Sequence, residues 1–403
     1  MSKSTVFTGQ PIFTQLLRYI SKEKFNQLVK KHKTDYYVKT FTSYDQLVSM
    51  LFAVFQQCSG IRELVTGMQA WFSKLQHLGL QNYPKRSTLS DANKKRTAAL
   101  YEELFHQLSR IYFLPDSRSV KLEERIYLVD STTVDLFQDV MSGAGISKAN
   151  GKRKGGVKAH MVINLKHLIP SVVFLSPAKE NDRVFMNKIA VPPGSILVFD
   201  KGYVKYGQWQ RWTEQNIYWV TRLSEVASFQ VLENRDVSEI QREKGILSDE
   251  LVLLGTETSP GSESIIARRV VYYDTDKERT FTFITNHLKL SPFNIAFLYK
   301  QRWSIEIAFK SLKQNFQIKY FLGDNANAIQ IQIWCALIAD LLVKIIKYSV
   351  SKRRWSFSNI CAMIRMHLST YVNLIEFLNS PEKTMKKYIK HFNYQLKLNL
   401  NTS

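Results

Sequence analysis

Two acidic residues stand where apolar, strand-like segments of the chain end. Asp130 closes the segment IYLVD, and Asp200 closes the segment ILVFD. If these strands are neighbours in a sheet, their ends lie at one edge and the two carboxylates lie side by side. Carboxylates held that close repel each other unless a cation neutralises them, and such oxygen ligands suit Mg²⁺ or Mn²⁺. Taken alone, each aspartate is more simply explained as a turn residue or a helix cap.

A third acidic residue lies in a segment with regularly spaced polar side chains. The stretch YKQRWSIEIAFKSLK contains the pattern Y-x2-R-x3-E-x6-K, formed by Tyr299, Arg302, Glu306 and Lys313. On a single helix this spacing places the four side chains on one face. The alternative is that Arg302 and Glu306 form an ordinary ion pair on a solvated face, and the spacing alone does not decide between the two.

Other titratable residues near the predicted strands have simpler explanations. Asp135 and Asp139 fall beyond the end of the first predicted strand, in a predicted loop, and rank below Asp130 as candidates. Asp182 is predicted to start a helix, where a carboxylate meets free backbone amides. His160 could face the edge that carries the acids, but a buried histidine with satisfied hydrogen bonds is the favoured prediction.

The elements that must position these residues change in type along the chain. Apolar residues recur at helical spacing at first, whereas strand-like segments follow from Ile126, first paired and then alternating with helices. Polar, turn-rich strands begin at Ser224, and helix dominates from Pro292. The sequence therefore predicts an α/β protein with a mixed-sheet core, a β-rich insertion and a helical N-terminal domain. The predicted limits are 1–118 for the N-terminal domain, 119–223 and 279–365 for the two parts of the core, 224–278 for the insertion and 366–403 for a basic C-terminal region. Short helices with basic residues at their starts predict that the N-terminal domain binds DNA, and a plain helical bundle is the alternative.

The balance of charge indicates a polyanionic partner. Lysine and arginine number 56 against 34 aspartates and glutamates, which gives a formal net charge of +22. Basic side chains that neutralise phosphates release condensed counterions, so nucleic acid is favoured, although ribosome-binding and membrane-surface proteins are also basic. The three cysteines form no CxxC pair and the N-terminus lacks an apolar signal segment, so we expect a cytoplasmic protein without disulfides or zinc.

One basic segment lies close to the first aspartate. Residues 148–158 hold five basic side chains, several glycines and no acid, and the central three are Lys152, Arg153 and Lys154. We predict a flexible loop that follows a DNA backbone near Asp130; the alternative is a solvated hairpin tip.

Two segments near the C-terminus carry separate predictions. The apolar stretch from Ile329 to Ile346 also contains glutamine, aspartate and lysine, so a buried helix is predicted rather than a membrane span. The stretch from Pro381 is rich in lysine and is predicted to be a basic tail, partly disordered.

The acidic and polar motifs together resemble a known family. The YREK signature of bacterial DDE transposases of the insertion-sequence-four type is matched by Tyr299, Arg302, Glu306 and Lys313. DKGY, which begins at Asp200, resembles the second aspartate motif of that family, and VDST, which contains Asp130, resembles the first. The order of the motifs and the long gap before the glutamate also fit. The resemblance covers roughly residues 126–340.

The resemblance implies a ribonuclease-H-like catalytic core and cut-and-paste DNA transposition. Asp130, Asp200 and Glu306 would hold two Mg²⁺ or Mn²⁺ ions, one activating a water or a 3′-hydroxyl and the other stabilising the leaving oxygen. On phosphates near the scissile bond, the resemblance places Arg302 as a fork and Lys313 as a point charge. Tyr299 would contact a backbone phosphate or a base.

The resemblance also implies a site for an extruded base. Better-studied members of that family cut through a DNA hairpin and stack a flipped base on a tryptophan in the strand before the YREK helix. This chain has no tryptophan there, and Phe281 is the candidate in its place. Phe281 and Phe283 alternate onto one side of the strand, and both are simply core residues if that side is buried.

The family implies partners as well as chemistry. We expect a homodimer on double-stranded DNA, which includes terminal inverted repeats and target DNA, in a bacterial, nucleoid-associated setting. Two alternatives use the same core: a stand-alone nuclease that cuts without joining, and a decayed transposase that acts as a DNA-binding repressor. A covalent tyrosine recombinase is a further alternative, because the chain has 19 tyrosines.

Overall fold

Backbone contacts divide the chain into two units. One unit comprises 1–114, 139–141 and 311–403, and the other comprises 115–138 and 142–310. The structure, a computed structural model, describes residues 9–80, 83–113, 125–136, 146–149, 152–177, 182–255, 264–316, 318, 321–323 and 325–400.

The N-terminal part of the first unit is helical, as predicted. Its helices are α1 (Ile12–Leu17), α2 (Lys22–His32), α3 (Ser43–Gln56), α4 (Ile61–Ala70), α5 (Arg86–Lys95) and α6 (Ala99–Phe113). Local sequence explains where they start. Thr42 and Asp45 each bond the other's backbone amide in a capping box before α3, and Ser21 caps α2.

The second unit contains a large sheet with short helices between its strands. Its first elements are β1 (Ile126–Leu136), β2 (Ile146–Ala149), β3 (Lys152–Asn164), β4 (Ile169–Pro177), α7 (Asp182–Met186), β5 (Ile196–Phe199), α8 (Tyr206–Glu214) and β6 (Tyr218–Arg222). The later ones are β7 (Phe229–Asn234), α9 (Glu239–Glu243), β8 (Ile246–Leu254), β9 (Ile265–Asp274), β10 (Arg279–Thr285), α10 (Pro292–Lys300) and α11 (Trp303–Asn315), whose last residues belong to the first unit.

The sheet is mixed in direction. Its strand order is β2-β3-β1-β5-β6-β10-β9-β8-β7, and β4 also pairs with β3. The β1–β5 and β5–β6 pairs are parallel, whereas β3 is antiparallel to β1, β2 and β4, and the strands from β10 to β7 are antiparallel. All four residues of β5 are buried, and large aromatic side chains (Phe199, Trp209, Trp212 and Trp219) fill the core around it. The predicted mixed α/β sheet is confirmed.

Two predictions beside the first aspartate were wrong. Strand β1 continues to Leu136, because its second half pairs with β3 down to Gly155, so Asp135 lies in the strand and not in a loop. Asp139 lies outside the described residues. The basic segment is also not a loop: β2 and β3 form an antiparallel ladder in which Lys148 is opposite Arg153. The glycines did not prevent pairing, since strand backbone needs no side chain to hydrogen-bond.

The C-terminal helices complete the first unit. They are α12 (Ala326–Ser349), α13 (Phe357–Met366), α14 (Leu374–Asn379) and α15 (Pro381–Leu400). Helix α12 is long and apolar enough to cross a membrane, but 89% of its most apolar window is buried. It packs on α3, α5 and α6, as predicted for a buried helix. The stretch from Pro381, predicted to be a basic and partly disordered tail, forms α15 as far as Leu400.

Candidate active site

Asp130 and Asp200 lie at corresponding positions of two neighbouring parallel strands. Val129 of β1 is opposite Phe199 of β5, so each aspartate is the next residue along its strand. The apolar residues that precede them are buried and fix this part of both strands in the core. Asp200 directly follows the end of β5, whereas Asp130 lies inside β1, which continues to Leu136, so the prediction that Asp130 closes its strand was wrong. The sheet therefore brings the two carboxylates to one place, as the sequence predicts.

The segment with the YREK pattern is not one helix. Helix α10 ends at Lys300 and α11 begins at Trp303, and the junction is made by short backbone bonds from Arg302 N to Tyr299 O and from Ser304 N to Gln301 O. The prediction of a single helix was wrong because the polar residues keep helical spacing across the junction. The backbone there changes to hydrogen bonds between residues three apart, which end one helix before the next begins. Lys313 lies on α11, seven residues after Glu306.

Arg302 connects two of the three acids. Its Nη1 donates to Oδ2 of Asp130 at 3.2 Å, and its Nη2 donates to Oε1 of Glu306 at 2.6 Å. The guanidinium is only 15% exposed, so solvent screens these contacts less than it screens a surface pair. Arg302 thus joins Glu306 to Asp130, and the Arg302–Glu306 pair is not the solvated pair that the spacing alone allowed.

Asp200 is held by two other donors. Nη2 and Nε of Arg222 lie 2.8 and 3.2 Å from its Oδ1, and the hydroxyl of Tyr299 donates to the same oxygen at 2.9 Å. Burial and the negative charge of Asp200 raise the pKa of Tyr299, so its hydroxyl stays protonated and remains a donor. The structure therefore brings Tyr299, Arg302 and the three acids together.

The two aspartates differ in their affinity for protons. Burial, with smaller contributions from Glu306 and Asp200, raises the pKa of Asp130 to about 6, although the Ser131 amide and Arg302 act in the opposite direction. Burial also acts to raise the pKa of Asp200, but the hydrogen bonds from Arg222 and Tyr299 outweigh it and hold that pKa below its usual value. This pattern is typical of acidic groups crowded at a functional site.

Arg222 was missed by the sequence analysis. It ends β6, the strand parallel to β5, and the register pairs Val198 with Val220, so Arg222 is level with Asp200. Arg222 could have been found as a basic residue at the end of an apolar strand, if that strand were known to lie beside the strand of Asp200. The order of segments along the chain does not show that β5 and β6 are neighbours.

Phe281 and Phe283 lie on one side of β10 but differ in exposure. Their rings stack with centroids 6.0 Å apart. Phe283 is 3% exposed and its ring lies 5.0 Å from that of Tyr299, whereas Phe281 is only partly buried. Phe281 lines an open cavity of about 490 Å³ together with Arg222, Tyr299, Arg302 and Trp303. Lys277 and Arg279 lie over its ring at 5.7 and 5.5 Å.

The basic segment forms the start of β3, the strand whose later part pairs with β1. Lys152, Arg153 and Lys154 open β3, and they pair with Ala149, Lys148 and Ser147 of β2. Lys158, further along β3, is largely buried and forms an ion pair of 3.0 Å with Asp182, so it belongs to the interior of the unit.

Asp130 and Asp200 from neighbouring strands and Glu306 from α11 thus lie around two arginines, and comparisons with known proteins identify the family. Residues 121–342 match the family described as Transposase DDE domain, and 8–81 match a domain of unknown function (DUF4372). The chain is 31% identical over 264 residues to "Putative transposase y4zB" of Sinorhizobium fredii, covering 65% of this chain and 71% of that one. It is 28% identical over 290 residues to "Putative transposase for insertion sequence element IS4SA" of Synechocystis, covering 70% and 77%.

The chain belongs to the DDE transposase family and is a DNA-cleaving transposase. A solved piggyBac transposase synaptic complex with hairpin DNA has a TM-score of 0.46 at 9% identity over 96% of this chain and 85% of that chain.

Enzymes of this family depend on divalent metal ions, and Asp130, Asp200 and Glu306 are the candidate ligands in this chain. Three carboxylates from neighbouring elements are the hard oxygen ligands that Mg²⁺ and Mn²⁺ prefer. Within the described part of the chain, however, no three His, Cys, Asp or Glu side chains are grouped to ligate one ion as they stand. Arginines neutralise the carboxylates instead, since Arg302 contacts both Asp130 and Glu306 and Arg222 contacts Asp200. The residue types fit a divalent metal ion, which Asp130, Asp200 and Glu306 would hold.

Proposed function

We propose that Asp130, Asp200 and Glu306 are the catalytic acids of an insertion-sequence transposase with the YREK signature, and that they hold two Mg²⁺ or Mn²⁺ ions. The observation that carries the proposal is the convergence of these three acids on the arginines and Tyr299. Bound metal would activate the attacking oxygen and stabilise the leaving one during cleavage and strand transfer.

We propose further that the core of the second unit is ribonuclease-H-like. Strand order and direction support this: β4, β3 and β1 are antiparallel neighbours, and β5 and β6 follow beside β1 as parallel strands. Strands β7, β8 and β9 would form an insertion that separates Asp200 from Glu306 along the chain.

The cationic side chains would serve the substrate phosphates. Asp130, Asp200 and Glu306 would hold the divalent ions, and Arg302 and Arg222, which contact these carboxylates, would be close enough to bind the phosphodiester. A guanidinium binds phosphate as a planar fork, which favours Arg302 as the group that orients the scissile phosphate. Tyr299 would contact the DNA backbone, and Lys313 would supply a further point charge.

The cavity beside Phe281 would receive an extruded base. Its aromatic wall offers a stacking surface, and Lys277, Arg279 and Arg302 provide positive charge for the adjoining phosphates. Cleavage would then pass through a DNA hairpin, with Phe281 as the stacking ring.

The remaining parts of the chain would bind and pair the DNA ends. We propose that residues 1–118 bind the terminal inverted repeats, that Lys152, Arg153 and Lys154 contact the backbone, and that the enzyme acts as a homodimer on DNA in the bacterial cytoplasm. The net charge of +22 supports extensive contact with phosphates.

A strand-transfer assay tests the proposal against a nuclease on the same core. A duplex carrying the terminal sequence found beside the reading frame, pre-cut to expose a 3′-hydroxyl, is incubated with the protein, Mg²⁺ and a supercoiled plasmid. We expect the duplex to become covalently joined to the plasmid, and a duplex ending in a dideoxynucleotide not to join. Nicking of DNA without joining would favour the nuclease.

A further inference from the structure

Hydrogen-bond donors from β1 and β3 meet at Asp182, close to Asp130. Asp182 is the first residue of α7, as predicted, and its Oδ1 lies 3.0 Å from Nζ of Lys158 and 3.3 Å from Oγ of Ser131. Nδ1 of His160 lies 3.5 Å from the same oxygen. The function proposed above uses none of these groups.

The register of β1 and β3 brings these donors together. Ser131 is opposite His160, and Thr133 is opposite Lys158. Since alternate residues of a strand point to the same side, Ser131, His160 and Lys158 all face one side of the sheet. Helix α7 lies on that side, because the ring of its Phe185 stacks on His160 with centroids 5.0 Å apart.

The imidazole of His160 is fixed and uncharged. It is 1% exposed, and its Nε2 lies 3.0 Å from the hydroxyl of Ser176. Burial lowers the pKa of His160 to about 4, so the ring carries a single N–H near pH 7. Its Nδ1 lies 3.5 Å from Oδ1 of Asp182 without forming a hydrogen bond. Asp182 is therefore the acceptor for the Ser131 hydroxyl and the Lys158 ammonium group.

Ser131 connects this cluster to Asp130. Its backbone N–H donates to Oδ1 of Asp130 at 2.8 Å, while its hydroxyl is within reach of Asp182 at 3.3 Å. Because neighbouring residues of a strand face opposite sides, Ser131 is anchored on one side of the sheet and orients the Asp130 carboxylate on the other. A shift of β1 at Ser131 would therefore move the Asp130 carboxylate.

We propose that Asp182 is a positioning residue for Asp130, acting through Ser131, and that it thereby sets the affinity of the acid site for divalent ions. The inference rests on the proposed role of Asp130 as a metal ligand. Removal of a residue that orients a metal ligand without touching the metal changes metal affinity or activity by about 10- to 100-fold. A purely structural ion pair would change only the stability of the fold.

The test is Mn²⁺ binding to the full-length protein, measured by electron paramagnetic resonance. We expect Asp182→Ala to weaken Mn²⁺ binding by about 10- to 100-fold. Asp182→Asn keeps an oxygen that can accept from Ser131 and should retain most of the affinity. Ser131→Ala should weaken binding as Asp182→Ala does, and the double variant should be no weaker than either single one, since both act on one connection.

An ion pair elsewhere in the same unit supplies the matched control. Asp249 and Arg268 lie 2.6 Å apart and are 4% and 3% exposed. Asp249→Asn should lower the melting temperature and leave Mn²⁺ affinity unchanged, and the same outcome for Asp182→Ala would overturn the positioning role. Asp130→Ala separates the two proposals. If it weakens Mn²⁺ binding while Asp182→Ala does not, only the positioning role fails; if it has no effect, the proposed metal site fails.

Discussion

Phe281 and Phe283 stack on each other in one strand, yet they face different environments. Phe283 is packed against Tyr299 and excluded from solvent, while Phe281 borders the cavity beside the acids. Phe281 is also nearer than Phe283 to the predicted insertion, 224–278, along the sequence. An extruded base could reach Phe281 without displacing core side chains.

Substitution of Phe281 by alanine should slow hairpin formation while sparing the first nick. A base stacked on an aromatic ring gains about 1–3 kcal/mol, so hairpin formation should slow by roughly 5- to 150-fold. The melting temperature should change little, because the ring is only partly buried. Phe283→Ala is the control, and it should cost about 3–5 kcal/mol of folding stability. If Phe281→Ala slows both the first nick and hairpin formation and also lowers the melting temperature, then Phe281 is a core residue and not the stacking ring.

Individual residues of the candidate site could be predicted where a sequence motif coincided with a recognisable strand or helix pattern. Asp130, Asp200 and Glu306 could be singled out because two apolar, strand-like segments are each followed by an aspartate and a third acid lies in a spaced polar pattern, although β1 continues past Asp130. Arg222 could not, because its relation to Asp200 depends on which strands are neighbours. The raised pKa of Asp130 was also not predictable, since burial is its largest cause and depends on the packing of other elements.

At the scale of elements, the hairpin of β2 and β3 presents the basic segment as an ordered ladder. Lys152, Arg153 and Lys154 are consecutive residues of β3, whose later part pairs with β1. The glycines in this segment suggested a loop, and the sequence gives little warning that strand pairing extends through Gly155 and Gly156.

Neutralising Lys152, Arg153 and Lys154 to glutamine should weaken DNA binding and flatten its dependence on salt. Each lost phosphate contact lowers the slope of log affinity against log salt concentration by about 1, and the cut position should not change. Gel-shift titrations between about 50 and 200 mM salt measure the slope. A triple variant with the same charge change at exposed positions, Arg211, Lys244 and Lys289 to glutamine, should alter it less. Equal slopes for the wild type and the hairpin variant would show that the hairpin is only solvated.

The junction of α10 and α11 shows a limit of periodicity. Tyr299, Arg302 and Glu306 have helical spacing, and the sequence predicted one continuous helix. The short backbone bonds at the junction preserve the approximate direction of the side chains while ending the first helix. The convergence of these residues was therefore predictable, but the break was not.

At the scale of the whole molecule, the two units do not follow the predicted domain limits. The predicted segment 279–365 is divided near residue 310, and its helix α12 belongs with the N-terminal helices. Helix α12 is apolar on all sides and must be covered all round, and α3, α5 and α6 provide part of that cover. Sequence reveals that such a helix is buried, but it does not reveal which helices cover it.

The central claim is that three acids perform the chemistry while many basic residues bind the DNA. Its most direct test is to measure end cleavage with Mg²⁺ and gel-shift affinity in parallel for Asp130→Ala, Asp200→Ala and Glu306→Ala, with the exposed Asp276→Ala as control. Loss of several kcal/mol of transition-state stabilisation predicts cleavage reduced about a thousandfold or more in each of the three variants, with nearly unchanged DNA affinity and a fully active control. Full cleavage by any one of the three would remove that residue from the site and contradict the account.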